Sequence, residues 1–414
     1  MAQITQGYLP SQPEINIGTL GHVDNGKSTL VQALTGIWTG KHSEEIIRGI
    51  TIRIGYADAA FYKCTKCGTF GTSDICSQCG SPAEFLRAVS FVDCPGHHSL
   101  MLTMLSGAAL MDGALLVLSA ADKCPQPQDR EHLAAAQMVG VKNLIVVQNK
   151  IDLVSKERVL ESYHEIEDFV RGTIAEKAPI VPISAQRGIN IDSLIQVIQE
   201  HIPTPKRDLA KPPIMSILRS FDINRPGTPA MDVQGGVLGG SILQGRFKVG
   251  EELEIRPGMR VEKGGKSHYL PIKTRLTSLR AGNQSVNEAV SGGLIGMGTL
   301  LDPSFTRADS LVGNIVGLPD NMPPVASNLT LGVELFERAM GTEEQIPVDK
   351  IRTNEALVLN TGTSVSAGIV TSARDGVIDI ELRRPVCIEL NARVAISRRI
   401  GESWRLIGFG SPRT

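Results

Sequence analysis

Short apolar runs separated by stretches of helical spacing fill the first half of the chain. INIG (15–18), VSFV (89–92), ALLVL (114–118), LIVV (144–147) and IVPI (180–183) are continuous rather than alternating. That is the pattern of strands covered on both faces, so each is predicted as a buried parallel strand. Between them, Val159, Tyr163, Ile166 and Val170 recur at helical spacing from a Ser155 start to a Gly172 stop. Ile191, Leu194, Ile195 and Ile198 do the same after Asn190. Strand then helix, repeated, predicts a doubly wound, mostly parallel α/β domain.

The helical periodicity ends at PTPKRDLAKPP (203–213), a proline-rich and charged stretch that reads as a linker. Beyond it, short β-rich runs are punctuated by Gly, Pro and Asn, as in GGVLGGSILQGRFKVGEELEIRPG (235–258). Two antiparallel β domains fit the remaining length, with a second boundary near residues 321–324. A chain of 414 residues exceeds what one hydrophobic core serves, in agreement with several domains. No run approaches the ~18 to 20 apolar residues of a membrane helix. The N-terminal stretch MAQITQGYLPSQPE lacks the basic and apolar regions of a secretory signal, so a cytoplasmic protein without membrane contact is expected. A net charge of −1 argues neither for nor against a nucleic-acid partner.

The stretch GHVDNGKST (21–29) fits G-x-x-x-x-G-K-[ST], with a predicted strand before it and a helix after it. Glycines let backbone N–H groups turn inward around phosphates, the helix N-terminus adds partial positive charge and Lys27 adds a full one. Ser28 is the expected Mg²⁺ ligand. A chance Gly-rich turn is the competing reading, and three further stretches weigh against it. Asp93-Cys94-Pro95-Gly96 follows the VSFV strand, where a carboxylate can reach Mg²⁺ through water and the Gly96 N–H can sense a γ-phosphate. Asn149-Lys150-Ile151-Asp152 follows LIVV, and Asp152 can accept from both guanine N1–H and N2–H₂, a pair of donors adenine lacks. Ser184-Ala185-Gln186, after IVPI, can present backbone N–H to guanine O6. Together these predict a GTP-binding domain. Thr51, in Arg48-Gly49-Ile50-Thr51, is the candidate second ligand to Mg²⁺, against the reading of a plain loop threonine. His97 stands where many small GTPases place a water-orienting glutamine, against a structural loop histidine. No arginine finger is identifiable in the chain, so slow intrinsic hydrolysis is expected.

Of seven cysteines, four form Cys64-x2-Cys67 and Cys76-x2-Cys79, each pair followed by a glycine. Two such turns suit one tetrahedral Zn²⁺ in a closed shell, which excludes catalysis at the metal; a vestigial or redox dithiol pair is the alternative. Cys94, Cys124 and Cys387 read as small core residues. Two basic sets stand on the β domains: Arg256, Arg260, Lys263, Lys266, Lys273, Arg275 and Arg280, and Arg383, Arg384, Arg393, Arg398, Arg399 and Arg405. With the first set read as lacking acidic compensation, two basic faces on β domains attached to a GTPase suggest RNA phosphate contact, against the reading of plain solvated surface. With aromatics at 4%, base stacking is not the expected mode.

With GHVDNGKST, RGIT, DCPGH, NKID and SAQ in hand, the chain resembles translational GTPases of the elongation factor Tu class. It is most similar to the gamma-subunit family of archaeal and eukaryotic translation initiation factor 2. The stretches 34–57, 104–120 and 381–410 and the cysteine turns carry that likeness, and the cysteines favour the archaeal branch. The resemblance implies a P-loop GTPase domain (1–205) with a zinc knuckle insert (62–82), then β-barrels at 206–325 and 326–414. It implies slow GTP hydrolysis, GTP/GDP, Mg²⁺ and Zn²⁺ as ligands, and methionylated initiator tRNA, alpha and beta subunits and the small ribosomal subunit as partners. By motif, Val23, Asp24, Asn25, Gly26, Lys27, Ser28, Thr29 and Gly96 would cradle phosphates, and Asn149, Lys150, Asp152, Ser184, Ala185 and Gln186 would read guanine. Ser28 and Thr51, with Asp93 through water, would hold Mg²⁺. Asp24 with the Gly49 carbonyl would hold a second Mg²⁺, and Lys27, Thr51, Asp93 and His97 would serve hydrolysis. Cys64, Cys67, Cys76 and Cys79 would hold zinc. One departure is visible: the family loop usually reads VDHGK, and here Asn25 replaces the histidine. Alternatives are an elongator or selenocysteine-specific carrier, a metabolic GTPase such as the regulatory subunit of ATP sulfurylase, or a scaffold with a vestigial site.

Overall fold

The computed structural model describes residues 9–40, 51, 53–97, 100–263, 266–282, 284–339, 346–389 and 392–413. Seven strands form the first sheet: β1 Ile15–Leu20, β2 Gly55–Cys64, β3 Phe70–Gly71, β4 Ala83–Asp93, β5 Gly113–Ser119, β6 Asn143–Asn149 and β7 Ile180–Pro182. Their order is β3-β2-β4-β1-β5-β6-β7. The pairs β4–β1–β5–β6–β7 are parallel, while β2 runs antiparallel to β4 and β3 to β2. All five predicted strands are present, and β1, β4, β5 and β6 extend beyond the apolar runs that announce them.

Continuity of the apolar runs follows from double coverage. Ile15, Ile17, Leu115, Val117, Ile145 and Val147 pack with Leu30, Leu34, Leu194 and Ile198 in one core. The alternate positions Ala114, Leu116, Leu144 and Val146 are buried as well. Each large aliphatic side chain so buried contributes roughly 1.5–3 kcal/mol.

Five helices are described in this domain: α1 Lys27–Thr35, α2 Met101–Ala108, α3 Pro127–Val139, α4 Lys156–Val170 and α5 Ile191–His201. Ser155 caps α4 as its sequence position predicts, accepting the Arg158 N–H. Helix α3 was not apparent from apolar spacing. Asp129, Glu131 and His132 are among its buried residues, so its inward face is partly polar.

Residues 203–213 contain no strand or helix, and the β-rich half begins with the strand Ile214–Phe221. Six strands close on themselves through the pairing of Glu252–Lys263 with Lys266–Ala281, and Gln284–Val286 is appended to that ring. Met215, Ile217, Leu238, Phe247, Ile255 and Met297 fill it. A second closed barrel of six strands runs from Val325–Leu335 to Ser403–Pro412. Its buried positions include Leu331, Leu357, Leu359, Val370, Ile380 and Ile396. By packing density the chain forms two compact units. One is Met1–Pro205 with Glu337–Pro347 and Ile400–Leu406; the other is Lys206–Phe336 with Val348–Arg399 and Ile407–Thr414. No helix among the described residues is long and apolar enough to cross a membrane.

Candidate functional site

Four loops leave the carboxyl ends of β1, β4, β6 and β7, where ligands of open α/β sheets bind. After β1 the chain turns through Gly21 to Gly26 and enters α1. Gly26 caps the helix at φ 88°, a left-handed conformation that favours glycine. A Cβ there would also lie 2.4 Å from Asn149 Nδ2, so the position is closed to side chains twice over. The N-terminal N–H groups of α1 meet no acidic residue in its first turn.

The loop is held from behind by side chains distant in sequence. Gly21 N–H donates to His132 Nδ1 (2.9 Å) and His22 N–H to Asp129 Oδ1 (2.8 Å). Asn25 Nδ2 donates to the Val117 carbonyl (2.8 Å) and to Asp129 Oδ1 (3.1 Å). Position 25 thus directs its side chain beneath the loop. Burial, reinforced by the Lys27 charge, pushes His132 well below the ordinary histidine range, so its Nδ1 is an acceptor. Lys27 Nζ donates to the carbonyls of Gly21 (3.0 Å) and His22 (2.7 Å). Burial lowers its pKa while Asp93 and Asp129 oppose the shift. Asp24 is exposed at the tip with φ 66°, and Val23 and Thr29 are half-buried.

At the end of β4, Asp93 is fully buried and gathers hydroxyls. Its Oδ1 accepts from Thr19 Oγ1 (2.9 Å), and its Oδ2 accepts from Ser28 Oγ and Thr39 Oγ1 (2.6 Å each). Thr51 Oγ1 lies 3.0 Å from Ser28 Oγ. Three hydroxyls thus surround one carboxylate beside Lys27, a fourth, that of Thr51, meets Ser28, and the predicted residues Ser28, Thr51 and Asp93 come together. Gly96 approaches the loop so closely that a Cβ would lie 2.4 Å from Lys27 Nζ and 2.7 Å from the Val23 nitrogen. His97 is half-buried just before α2, and its carbonyl accepts the Leu100 N–H (2.9 Å). Cys94 is buried, and burial pushes its thiol up, in keeping with a core role. Gly49, with Arg48 and Ile50, lies outside the described residues.

At the other end of the site, Asn149 ties loops together. Its Nδ2 donates to the Asn25 carbonyl (2.8 Å), and its Oδ1 accepts from Ala185 N–H (3.0 Å). Lys150 is left-handed at φ 64°, and Asp152 follows in the short 3-10 turn Ile151–Leu153. The Asp152 side chain is 16% exposed, with Oδ2 3.8 Å from Arg187 Nε. Ser184 is buried, and its Oγ accepts the Arg187 N–H (3.2 Å), whereas Gln186 is exposed.

The four predicted cysteines form a separate cluster. Gly68 N–H donates to the Cys64 carbonyl (3.1 Å) and Gly80 N–H to that of Cys76 (2.9 Å), two equivalent turns whose glycines have φ 74° and 67°. All four sulfurs lie within 4.8 Å of one another. The Cys64–Cys79 and Cys67–Cys76 Sγ separations of 3.5 Å far exceed a disulfide of about 2.05 Å. They approach the edge of about 3.8 Å that a tetrahedron of ~2.3 Å Zn–S bonds would have.

One sequence expectation is corrected on the β domains. Arg256 pairs with Glu254, Arg260 with Glu262 and Arg275 with Glu252, so this set is not free of acidic compensation. Glu252 and Arg275 are far apart in sequence and face each other across a strand pair. In the second set, Arg398 pairs with Glu355, Arg393 lies over the Phe409 ring and Arg384 is half-buried.

Asp129, His132, Thr19 and Thr39 were not foreseen. The stretch PQPQDREH (125–132) carries polar residues but no spacing that reveals which loop they support.

Comparison with known proteins agrees with this architecture. Residues 12–204 match the elongation factor Tu GTP binding domain family, 235–317 elongation factor Tu domain 2, and 327–411 the C-terminal region of initiation factor eIF2 gamma. The chain is 56% identical to translation initiation factor 2 subunit gamma of Pyrococcus furiosus, over 96% of this chain and 97% of the relative. The Methanocaldococcus jannaschii protein of the same name is 54% identical over 97% of each chain. A bacterial selenocysteine-specific elongation factor superposes with TM-score 0.74 at 22% identity, over 97% of this chain but 59% of that one. The elongation factor SelB of Methanococcus maripaludis gives TM-score 0.72 at 22% identity, over 98% and 80%. These two likenesses speak to the fold alone. Identity above one half along nearly the full length of its relatives shows that the chain belongs to the translation initiation factor 2 gamma-subunit family, whose members are GTP hydrolases of translation initiation.

Proposed function

We propose that this chain binds methionylated initiator tRNA in its GTP state, delivers it to the small ribosomal subunit within a heterotrimer with alpha and beta subunits, and releases it after GTP hydrolysis. The observation that carries this reading is the match of residues 327–411 to the gamma-specific C-terminal region, because the other two matched regions are shared with elongation factors. The domains proposed are 1–205, 206–325 and 326–414, with the knuckle at 62–82.

In this reading, residues 23–29 and Gly96 surround the phosphates, and Lys27 exchanges its two carbonyl partners for phosphate oxygens. The donors beside them fit Mg²⁺: the Ser28 and Thr51 hydroxyls stand 3.0 Å apart next to the Asp93 carboxylate, an all-oxygen set for a hard cation. When bound, Mg²⁺ neutralises phosphate charge. Asp93 takes the Ser28 proton into a hydrogen bond, leaving a lone pair of that oxygen for the cation. Asp24 and Gly49 are proposed for a second Mg²⁺. His97 orients the attacking water from the residue after Gly96. Asp152 accepts the two guanine donors, Ser184 to Gln186 offer backbone N–H to O6, and Asn149 and Lys150 shape that pocket. The four cysteine sulfurs fit Zn²⁺ as a closed structural shell.

The test is protection of methionyl-initiator tRNA from spontaneous deacylation by the purified chain with its alpha subunit, in GTP and in GDP, with methionyl-elongator tRNA as control. GTP-dependent protection of the initiator alone is expected. Equal protection of both would move the chain to the elongators, and none would sink the carrier reading.

A further inference from the structure

The geometry points to Thr39 as a positioning residue of the phosphate and metal site, held between Gly55 and the Asp93 carboxylate. The inference rests on the GTP and Mg²⁺ reading above and adds to it a residue that no motif marks.

Asp93 is fully buried and must be solvated by protein donors. Thr19 serves Oδ1; Ser28 and Thr39 share Oδ2. A hydroxyl bond to a carboxylate is charge-assisted and short, as both 2.6 Å distances are. Two donors on Oδ2 fix the carboxylate's orientation, and that orientation determines where the Ser28 hydrogen points. Thr39 therefore acts on the proposed cation through Asp93 and Ser28, without touching it.

Its seat is made by a glycine. Gly55 pairs opposite Asp93 at the start of β2. A Cβ on Gly55 would lie 2.6 Å from Thr39 Cβ and 3.3 Å from its Oγ1. Gly55 has no left-handed φ to account for it. The requirement is the close approach of Thr39, whose Cβ and hydroxyl occupy the space a side chain would take. The same contact joins the chain just after α1 to the strand that follows Thr51.

The test measures dissociation of fluorescent GDP and of a non-hydrolysable GTP analogue as Mg²⁺ is titrated, on the full chain. Removing a residue that orients a metal ligand typically costs 10–100-fold in metal affinity, so Thr39→Val is expected to need about tenfold more Mg²⁺ for the same slowing. Thr39→Ser retains the hydroxyl and should stay close to wild type. Gly55→Ala removes no hydroxyl but displaces that of Thr39, and should shift in the same direction as valine. A merely structural threonine would lower Tm equally with and without Mg²⁺ and leave the Mg²⁺ midpoint unmoved; that result overturns the proposal. Should the valine variant fold poorly, the alanine and serine variants decide by their midpoints alone. Wild-type dissociation indifferent to Mg²⁺ would instead overturn the reading of the site on which the proposal stands.

Discussion

The nucleotide loop and the cysteine knuckle use one local device and support it in opposite ways. Each carries turns closed by a left-handed glycine: Gly26 at φ 88°, Gly68 at 74° and Gly80 at 67°. The knuckle's turns are closed by its own residues, Cys64 N–H to Thr69, Cys76 N–H to Ser81 and Ala83 N–H to Asp74. Its side-chain tie to the rest of the domain is long, Gln78 Nε2 to Asp192 Oδ2 at 3.4 Å. The nucleotide loop takes its partners from positions 92 to 124 residues away: Val117, Asp129, His132 and Asn149. A segment fixed by a permanently bound ion can be short and self-contained. A segment whose ligand must leave and return has to be held by the protein.

Zinc removal should break the comparison most visibly. Structural zinc binding is worth ~10–16 kcal/mol in small sites, so chelation should abolish amide-exchange protection across residues 64–83. Affinity for GTP should stay within about twofold, because the loop's supports lie elsewhere. Loss of GTP binding together with the metal would show that the two regions are not independent.

His132→Ala comes next. It strands the buried Gly21 N–H, a loss of about 1–3 kcal/mol, and nucleotide affinity should fall roughly tenfold with the knuckle unchanged. The sign with pH follows from the depressed histidine pKa. The unfolded chain takes up a proton below about pH 6.5 while the folded site does not, so His132 contributes stability above that pH that is lost on acidification. Denaturation curves of wild type should lose more stability than the alanine variant between about pH 6.5 and 5. Equal slopes would contradict a neutral His132.

Asp58 gives the smallest effect. It lies midway along β2, and burial raises its carboxyl to about 6. The folded state therefore binds the proton more tightly than the unfolded one, and stability falls as pH rises from about 4 through 6. Asp58→Asn should raise Tm by a few degrees at pH 8, about 1–2 kcal/mol, and by nothing near pH 4, with neither site affected. A gain that persists at pH 4 would point to packing rather than charge.

What the sequence showed and what it hid divide along the same line. Strands covered on both faces announced themselves as unbroken apolar runs, and loops whose chemistry is local, such as Gly21 to Ser28 or the cysteine turns, were readable from spacing. Helix α3 escaped because its inward face carries Asp129, Glu131 and His132, which break an apolar period. Thr39 escaped because its partners, Gly55 and Asp93, are brought to it by strand pairing. In the basic set on the first barrel, only the partner of Arg275 was hidden in this way, on a neighbouring strand, whereas Glu254 and Glu262 stand two residues from Arg256 and Arg260 and were legible in the sequence. The side chain at position 25 ties the loop to β5 and α3, a role that no local spacing signals.

Strand β2 begins opposite Asp93 and ends, nine residues later, at the first cysteine of the knuckle. At about 3.3 Å per residue, it sets a fixed separation between a glycine that seats a hydroxyl and a thiol at the cluster. Because successive side chains point to opposite faces, removing one residue would turn one end of the strand over relative to the other. β2 is thus a ruler graduated in twos: changes in its length should survive as pairs of residues, or singly only where a bulge such as that at Phe61/Tyr62 absorbs the odd step.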